Sequence, residues 1–147
     1  MPTRWKVADA VEIGPRTEED LAELFALARS AFEALPGWND RRVHDVLAGD
    51  LVFVAREHEQ AAGYVALHAD TDGCICIDQL FVATGHEGRG IGRHLLAYAE
   101  GYAIAERAPA LRVVVEEENR AARDLYRRSG FAPVEPELFE LVLPSEP

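Results

Sequence analysis

Three glycines stand at alternate positions, Gly88, Gly90 and Gly92, between an apolar run Leu80-Phe81-Val82 and a helical pattern opening at Ile91. Glycine removes side chains where the backbone must bend sharply, so consecutive N–H groups are left free to point at a ligand. A helix starting at Ile91 adds the positive end of its dipole and the unpaired N–H groups of its first turn. Together these features predict a site for a phosphate or pyrophosphate held mainly by backbone. The spacing excludes two common nucleotide loops: no Lys-Ser/Thr pair follows the glycines, and Gly88-Arg89-Gly90-Ile91-Gly92 is one residue short of G-x-G-x-x-G. Other side chains with chemistry to offer are a carboxylate at Asp78, in the middle of an apolar strand pattern, and a phenol at Tyr126. An ordinary phenol, with a pKa of ~10, stays protonated at neutral pH and can donate to a leaving thiolate.

The glycine run resembles the acyl-CoA pyrophosphate loop of the GNAT N-acetyltransferase superfamily, [QR]-x-x-G-x-[GA], which opens a helix after a strand reading L-x-V. Leu80 and Val82 supply the strand, and Gly90-Ile91-Gly92 the glycines. One position departs, because the usual Gln or Arg falls on Glu87. That carboxylate is expected to weaken the site without abolishing it, with Arg89 and Arg93 supplying positive charge. Downstream, the stretch from Asn119 through Ala122, Leu125 and Tyr126 to Gly130-Phe131 is similar to the family signature N-x-x-A-x-x-[LF]-Y-x-x-x-G-F. The resemblance runs from about Leu51 to Phe131 and implies a GNAT fold: a mixed, mostly antiparallel central sheet of about seven strands flanked by about four helices.

By that resemblance the donor is acetyl-CoA, and the acceptor is a small-molecule or peptide amine acetylated by direct transfer in a ternary complex. The pantetheine arm would pair with main-chain groups of Leu80, Phe81 and Val82, and the loop Glu87, Gly88, Arg89, Gly90, Ile91, Gly92 and Arg93 would hold the pyrophosphate. Asn119 and Ala122 would open the next helix against the cofactor arm, Asn119 either as a cap alone or also as a contact. Tyr126 would be the general acid. The base is open: Asp78 shares a face by alternation with Cys76, Leu80 and Val82 and is either catalytic or bonded to a backbone amide. Glu116, His68 and water chains compete with it. A non-catalytic acyl-CoA-binding regulatory module is the alternative, favoured by Glu87 and opposed by Tyr126. Trp38 either lines the acceptor pocket or packs at a helix start. A homodimer is left open.

These residues need a scaffold to hold them. Val7 to Ile13 predicts one strand ending at Gly14-Pro15, and Glu18 to Leu35 an amphipathic helix with Thr17 and Asp20 as a capping box, stopped by Pro36-Gly37. Asn39 to Leu47 predicts a short helix. Leu51–Arg56, Ala62–His68 and Cys74–Val82 form a three-strand meander, since the turns between them are short. Ile91 to about Ala105 is a helix, Leu111–Val115 a central strand reached by a parallel crossover, and Ala121–Ser129 a helix ended by Gly130. Phe131–Val134 and Glu137–Leu143 close the sheet.

The 147 residues predict one domain, 1–147, with enough apolar content at 48% for a real core. A net charge of −11 argues against nucleic acid and fits a solvated surface or a field that draws a cationic amine. No apolar run is long enough for a membrane span and no signal peptide is visible, so a cytoplasmic protein is expected. Cys74 and Cys76 at i and i+2 are poorly placed to bridge each other and read as small buried residues, and no metal site is expected.

Overall fold

The computed structural model describes residues 5–8, 11–34 and 37–144. The chain runs β1 (Trp5–Ala8), β2 (Val11–Pro15), α1 (Asp20–Phe32), α2 (Asp40–Gly49), β3 (Leu51–Glu57), β4 (Gln60–Ala69), β5 (Ile75–Val82), α3 (Ile91–Ala105), β6 (Ala110–Val114), α4 (Arg120–Arg128), β7 (Ala132–Pro133) and β8 (Leu138–Val142). All eight strands form one sheet in the order β1-β2-β3-β4-β5-β6-β8-β7. Every neighbouring pair is antiparallel except β5 and β6. The right-handed crossover preference of such a parallel pair puts α3 against the sheet.

The sheet has one strand more than the seven expected, and the reason is local. The predicted Val7–Ile13 strand is two antiparallel strands, β1 and β2, paired Trp5↔Ile13 and Ala8↔Val11, with residues 9–10 between them outside the described set. Helix α1 is shorter than predicted, and its expected end at Leu35-Pro36 lies outside the described residues. Of the expected capping box, the Asp20 carboxylate accepts from the Thr17 N–H at 2.8 Å. Asn39 caps α2 by accepting from the Arg42 N–H at 3.0 Å.

The sheet separates two apolar clusters. One face packs Val65, Leu67, Ile75, Ile77 and Leu111 under Leu95, Leu96 and Ala99 of α3 and Tyr126 of α4. The other packs Val52, Val54, Tyr64, Ala66 and Phe81 under Leu24 and Ala28 of α1 and Val43 and Leu47 of α2. Among the described residues, no helix is long and apolar enough to cross a membrane.

Two departures from regular pairing shape the middle of the sheet. Between β4 and β5 the register runs Ala66↔Gln79 and then Leu67↔Ile77, so Asp78 is an extra residue, a β-bulge. The bulge corrects the grouping of Asp78 with Leu80 and Val82 that alternation predicts. Leu80 and Val82 pack with Ile75 and Ile77 on the α3 side, and Phe81 lies on the α1/α2 side, because one inserted residue inverts the alternation beyond it. The second departure is that β5 pairs with β6 only from Ile75↔Leu111 to Ile77↔Val113. From Gln79 to Val82, β5 keeps β4 on one side and has no β6 pairing on the other, which leaves a wedge between two parallel strands.

Candidate active site

The wedge, the glycine loop and α4 converge. Gly88 and Gly90 hold φ of +79° and +77°, the left-handed region that costs a side-chain-bearing residue energy. Helix α3 starts with Gly90 as N-cap and no side-chain cap. Its first intrahelical bond runs from the His94 N–H to the Gly90 carbonyl at 3.0 Å, so the N–H groups of Ile91, Gly92 and Arg93 precede the ladder. A Cβ at Gly92 would sit 3.6 Å from Val82 and 3.9 Å from Leu125, which brings the end of β5, the start of α3 and the middle of α4 together.

The charges around this loop are arranged differently from expectation. Glu87 turns back on its own loop and accepts from the Gly85 N–H at 3.0 Å, so its carboxylate serves as a turn acceptor. Arg89 is drawn to Glu57, Nη1 to Oε2 at 2.5 Å, while remaining exposed. Glu57 is itself buried and also bonded to His86 Nδ1 at 2.6 Å. The His86 bond first, then the Arg89 bond, hold its carboxyl below the usual range against the opposing effect of burial. Of the two arginines expected to face a phosphate, Arg89 therefore shares its charge with a buried carboxylate, and Arg93 is exposed on the first turn of α3.

A cavity of about 390 Å³ opens at the wedge, lined by Leu80, Phe81, Gln79, Glu116, Asn119, Phe32, Trp38 and Tyr64 among others. Its walls thus combine the end of β5, the loop before α4 and the inner faces of α1 and α2. Tyr64 donates its hydroxyl to Gln79 Oε1 at 2.7 Å, which fixes that amide, and burial pushes the phenol pKa up. Asn119 caps α4 by accepting from the Ala122 N–H at 3.2 Å while lining the cavity. A neighbouring cavity of about 350 Å³ shares Trp38 and Gln79 and adds Asp78 and Arg42. Trp38 donates its indole N–H to Asp40 and packs against Phe25 at 6.3 Å, so it both packs and lines.

Asp78, His68 and Asp50 form a cluster at the second cavity. His68 Nδ1 lies 2.7 Å from Asp78 Oδ2, and this hydrogen bond raises the imidazole pKa. Asp50, between α2 and β3, is pushed up to about 7, first by burial, then by its hydrogen bond to Asp78 and by that residue's charge, with His68 opposing. Cys74 and Cys76 are both free; Cys74 is buried, whereas Cys76 is half-buried and donates its thiol to Asp70 at 3.3 Å. Burial pushes the Cys76 thiol up to about 12, so it stays protonated.

Tyr126 lies apart from both linings, buried on the α3 face against Phe131 with ring centroids 5.3 Å apart. Burial raises its phenol pKa. Sequence reasoning missed Asp50, Glu57, His86, Gln79 and Tyr64. A further cavity of about 420 Å³ between β2 and α1 contains Asp20, Glu23 and Arg56, but these side chains pair with one another, and Glu23 also accepts from the Ala61 N–H at 3.3 Å.

Comparison with known proteins agrees with this architecture. Residues 18–131 match the acetyltransferase (GNAT) family profile. Streptothricin acetyltransferase of Streptomyces lavendulae is 38% identical over 72 residues, which is 48% of this chain and only 38% of that relative's length. A GNAT family acetyltransferase from Brucella melitensis, solved in complex with acetyl-CoA, superposes with a TM-score of 0.74 at 22% identity, over 95% of this chain and 93% of the other. IAA acetyltransferase from Bacillus cereus gives 0.73 at 22% identity, over 86% and 79%. At these identities the two structures show the fold.

Proposed function

This chain belongs to the acetyltransferase (GNAT) family, and from that membership we propose that it transfers an acetyl group from acetyl-CoA to a primary amine by direct attack within a ternary complex. The observation that carries the reading is the cavity at the wedge. One opening brings the end of β5 that has left β6, Leu80 and Phe81, beside Asn119 on one side and a wall of Phe32, Trp38 and Tyr64 on the other. An extended thioester arm laid along a free strand edge gains main-chain hydrogen bonds, and an amine in the adjoining cavity then meets the carbonyl at short range. Such alignment is the largest part of a bimolecular acyl transfer.

Acetyl-CoA supplies the activated acyl group and a thiolate leaving group. The N–H groups at the start of α3 and the left-handed turn at Gly88 and Gly90 would hold the pyrophosphate, with Arg93 adding charge. Backbone groups of Leu80, Phe81 and Val82 would orient the arm, while their side chains serve the two apolar clusters. Tyr126, kept protonated by burial, would donate to the leaving sulfur, and Asp78 would take the amine proton. Aromatic walls with Glu116 at the rim favour a cationic amine carried on an apolar body. Glu87 no longer supports a purely regulatory module, because its carboxylate is satisfied within its own turn.

The test is a screen of amines with acetyl-CoA, following free thiol release. It should include streptothricin, since a relative bears that name, and peptide N-termini. Acetyl transfer to at least one amine at a rate above hydrolysis is expected, and tight acetyl-CoA binding without transfer to any of them would overturn the reading.

A further inference from the structure

Asp50 belongs to no motif, yet it stands behind the group that faces the acceptor. It closes α2 through its N–H to the Val46 carbonyl at 2.9 Å, and its carboxyl turns to the bulge of β5. The carboxylates of Asp50 and Asp78 and a ring nitrogen of His68 all lie within 4.8 Å of one another. With both carboxyls ionised, Oδ2 of Asp50 is buried and has no donor. A proton shared with Asp78 provides one. The bulge lets two consecutive side chains, Asp78 and Gln79, face the α1/α2 side, Asp78 meeting His68 and Asp50 and Gln79 meeting Tyr64.

We propose that Asp50 and Asp78 work as a carboxylate pair that takes the ammonium proton of the acceptor, Asp78 facing the amine and Asp50 acting as the positioning residue that sets its basicity. This rests on the N-acetyltransferase reading above. In the step, an N–H bond of the ammonium breaks, its electron pair stays on nitrogen for attack on the thioester, and an O–H bond forms on Asp78, which later loses that proton to water. The side chain of Asp78 is 28% exposed and lines the cavity beside Arg42, so it reaches both acceptor and solvent.

The physical reason is that two carboxyls with oxygens within 4.8 Å of each other resist double ionisation, so the pair holds its last proton up to higher pH than either would alone. A lone carboxylate with a pKa of ~4 is a weak base toward an ammonium, and a pair titrating near neutrality is a better one. The groups that face the pair are His68 and Asp70 at the end of β4, Cys76 on β5 and Arg42 on α2. His68 favours ionisation of Asp50, Asp70 stabilises the imidazolium at 3.8 Å, and Cys76 stays neutral.

Two measurements test this. The first labels aspartate carboxyl carbons with ¹³C and follows them by NMR from acid to neutral pH without substrate. One carboxyl is expected to titrate near pH 7 in the wild type and to lose that behaviour in both Asp50→Asn and Asp78→Asn. Absence of a neutral-titrating carboxyl overturns the proposal whether or not the protein acetylates anything. The second is kcat against pH on an amine found by the screen. In Asp50→Asn the acid limb should move down by about one pH unit or more and the plateau should fall, because the two carboxyls no longer share a proton. An unmoved limb means that Asp50 is structural only. A divalent ion retained by the purified protein, whose removal by chelator abolishes the titration, would make the cluster a metal site and equally overturn the pair. A wild type that shows the titration but transfers acetyl to nothing fails the parent reading instead, and the two failures are distinguishable.

Discussion

Glu57, the last residue of β3, is hydrogen-bonded through Oε1 to Nδ1 of His86 at 2.6 Å, and this contact ties the end of a strand to the turn that leads into the glycine loop. Its other oxygen holds Arg89 of the same loop at 2.5 Å. A buried carboxylate is costly without partners, and here both partners come from the segment that would receive a pyrophosphate. The loop is thus fixed from below before any ligand arrives.

Replacing that carboxylate by an amide, Glu57→Gln, keeps its size but removes the charge that holds Arg89 and His86. Acetyl-CoA affinity should fall by about tenfold, since charge-assisted hydrogen bonds that order the loop are lost. The sign of the pH dependence follows from the depressed carboxyl. Its stabilising contribution is fully present above the unfolded-state pKa and is lost as pH falls through the lower folded-state value. Titration calorimetry should therefore show acetyl-CoA affinity dropping on the acid side of the ordinary carboxylate range in the wild type, with that component missing in Glu57→Gln. Equal affinities at all pH values would show that the loop orders without Glu57.

Gly90 and Gly92 are both in the glycine pattern, but the backbone distinguishes them. Gly90 has φ of +77° with only the His94 ring near a built Cβ, at 3.8 Å, whereas Gly92 is helical with Val82 and Leu125 at ordinary contact distance. Gly90→Ala should cost loop geometry and weaken acetyl-CoA binding by about tenfold or more. Gly92→Ala should bind within about twofold of wild type. Dissociation constants for the pair of variants check this, and the reverse order would remove the left-handed turn from the site.

Glu87 accepts from the Gly85 N–H, and a glutamine carbonyl can accept the same bond without a negative charge near the start of α3. Glu87→Gln should leave acetyl-CoA affinity equal or tighten it by up to about threefold, the scale of one charge near a helix N-terminus. Glu87→Ala, which removes the acceptor, should weaken it. A clear loss in Glu87→Gln would assign the carboxylate a role that depends on its charge.

The glycine loop, α3, α4 and the Leu111–Val115 strand were legible in the sequence because their signals are local: glycines at turns, helical periodicity, a cap at Asn119 and a β-branched run. The pairing of Asp78 was not. Its bulge is set by register against β4, and one inserted residue moves Leu80 and Val82 to the face opposite the one that alternation gives. Glu57 sits in a polar run, Glu57-His58-Glu59-Gln60, that reads as a turn, and its burial depends on His86, 29 positions later. Asp50 follows a glycine at a helix end, where a carboxylate ordinarily faces water; only the packing of α2 over β5 brings it to Asp78. In each case the missing information is a long-range contact between charged groups.

The proposed role of Tyr126 as proton donor is open to a direct test. It lies on α4 on the sheet face opposite the cavity lined by Tyr64 and Phe81, buried against Phe131, and burial holds its phenol protonated well above neutral pH. A proton donor to a departing thiolate needs that protonation state, and its target would lie in the wedge between β5 and β6, at the sulfur end of the arm. Tyr126→Phe keeps the ring and its edge contact with Phe131 while removing the hydroxyl, so folding and acetyl-CoA affinity should change little. If the hydroxyl donates in the transition state, kcat should fall by about 10²-fold or more, with KM for acetyl-CoA nearly constant. The dependence on leaving-group basicity separates this from a packing effect: the deficit should grow with a poorer leaving thiol and shrink with a more acidic one. A variant that keeps full turnover on an acceptor from the screen would remove Tyr126 from the mechanism and leave protonation of the sulfur to solvent.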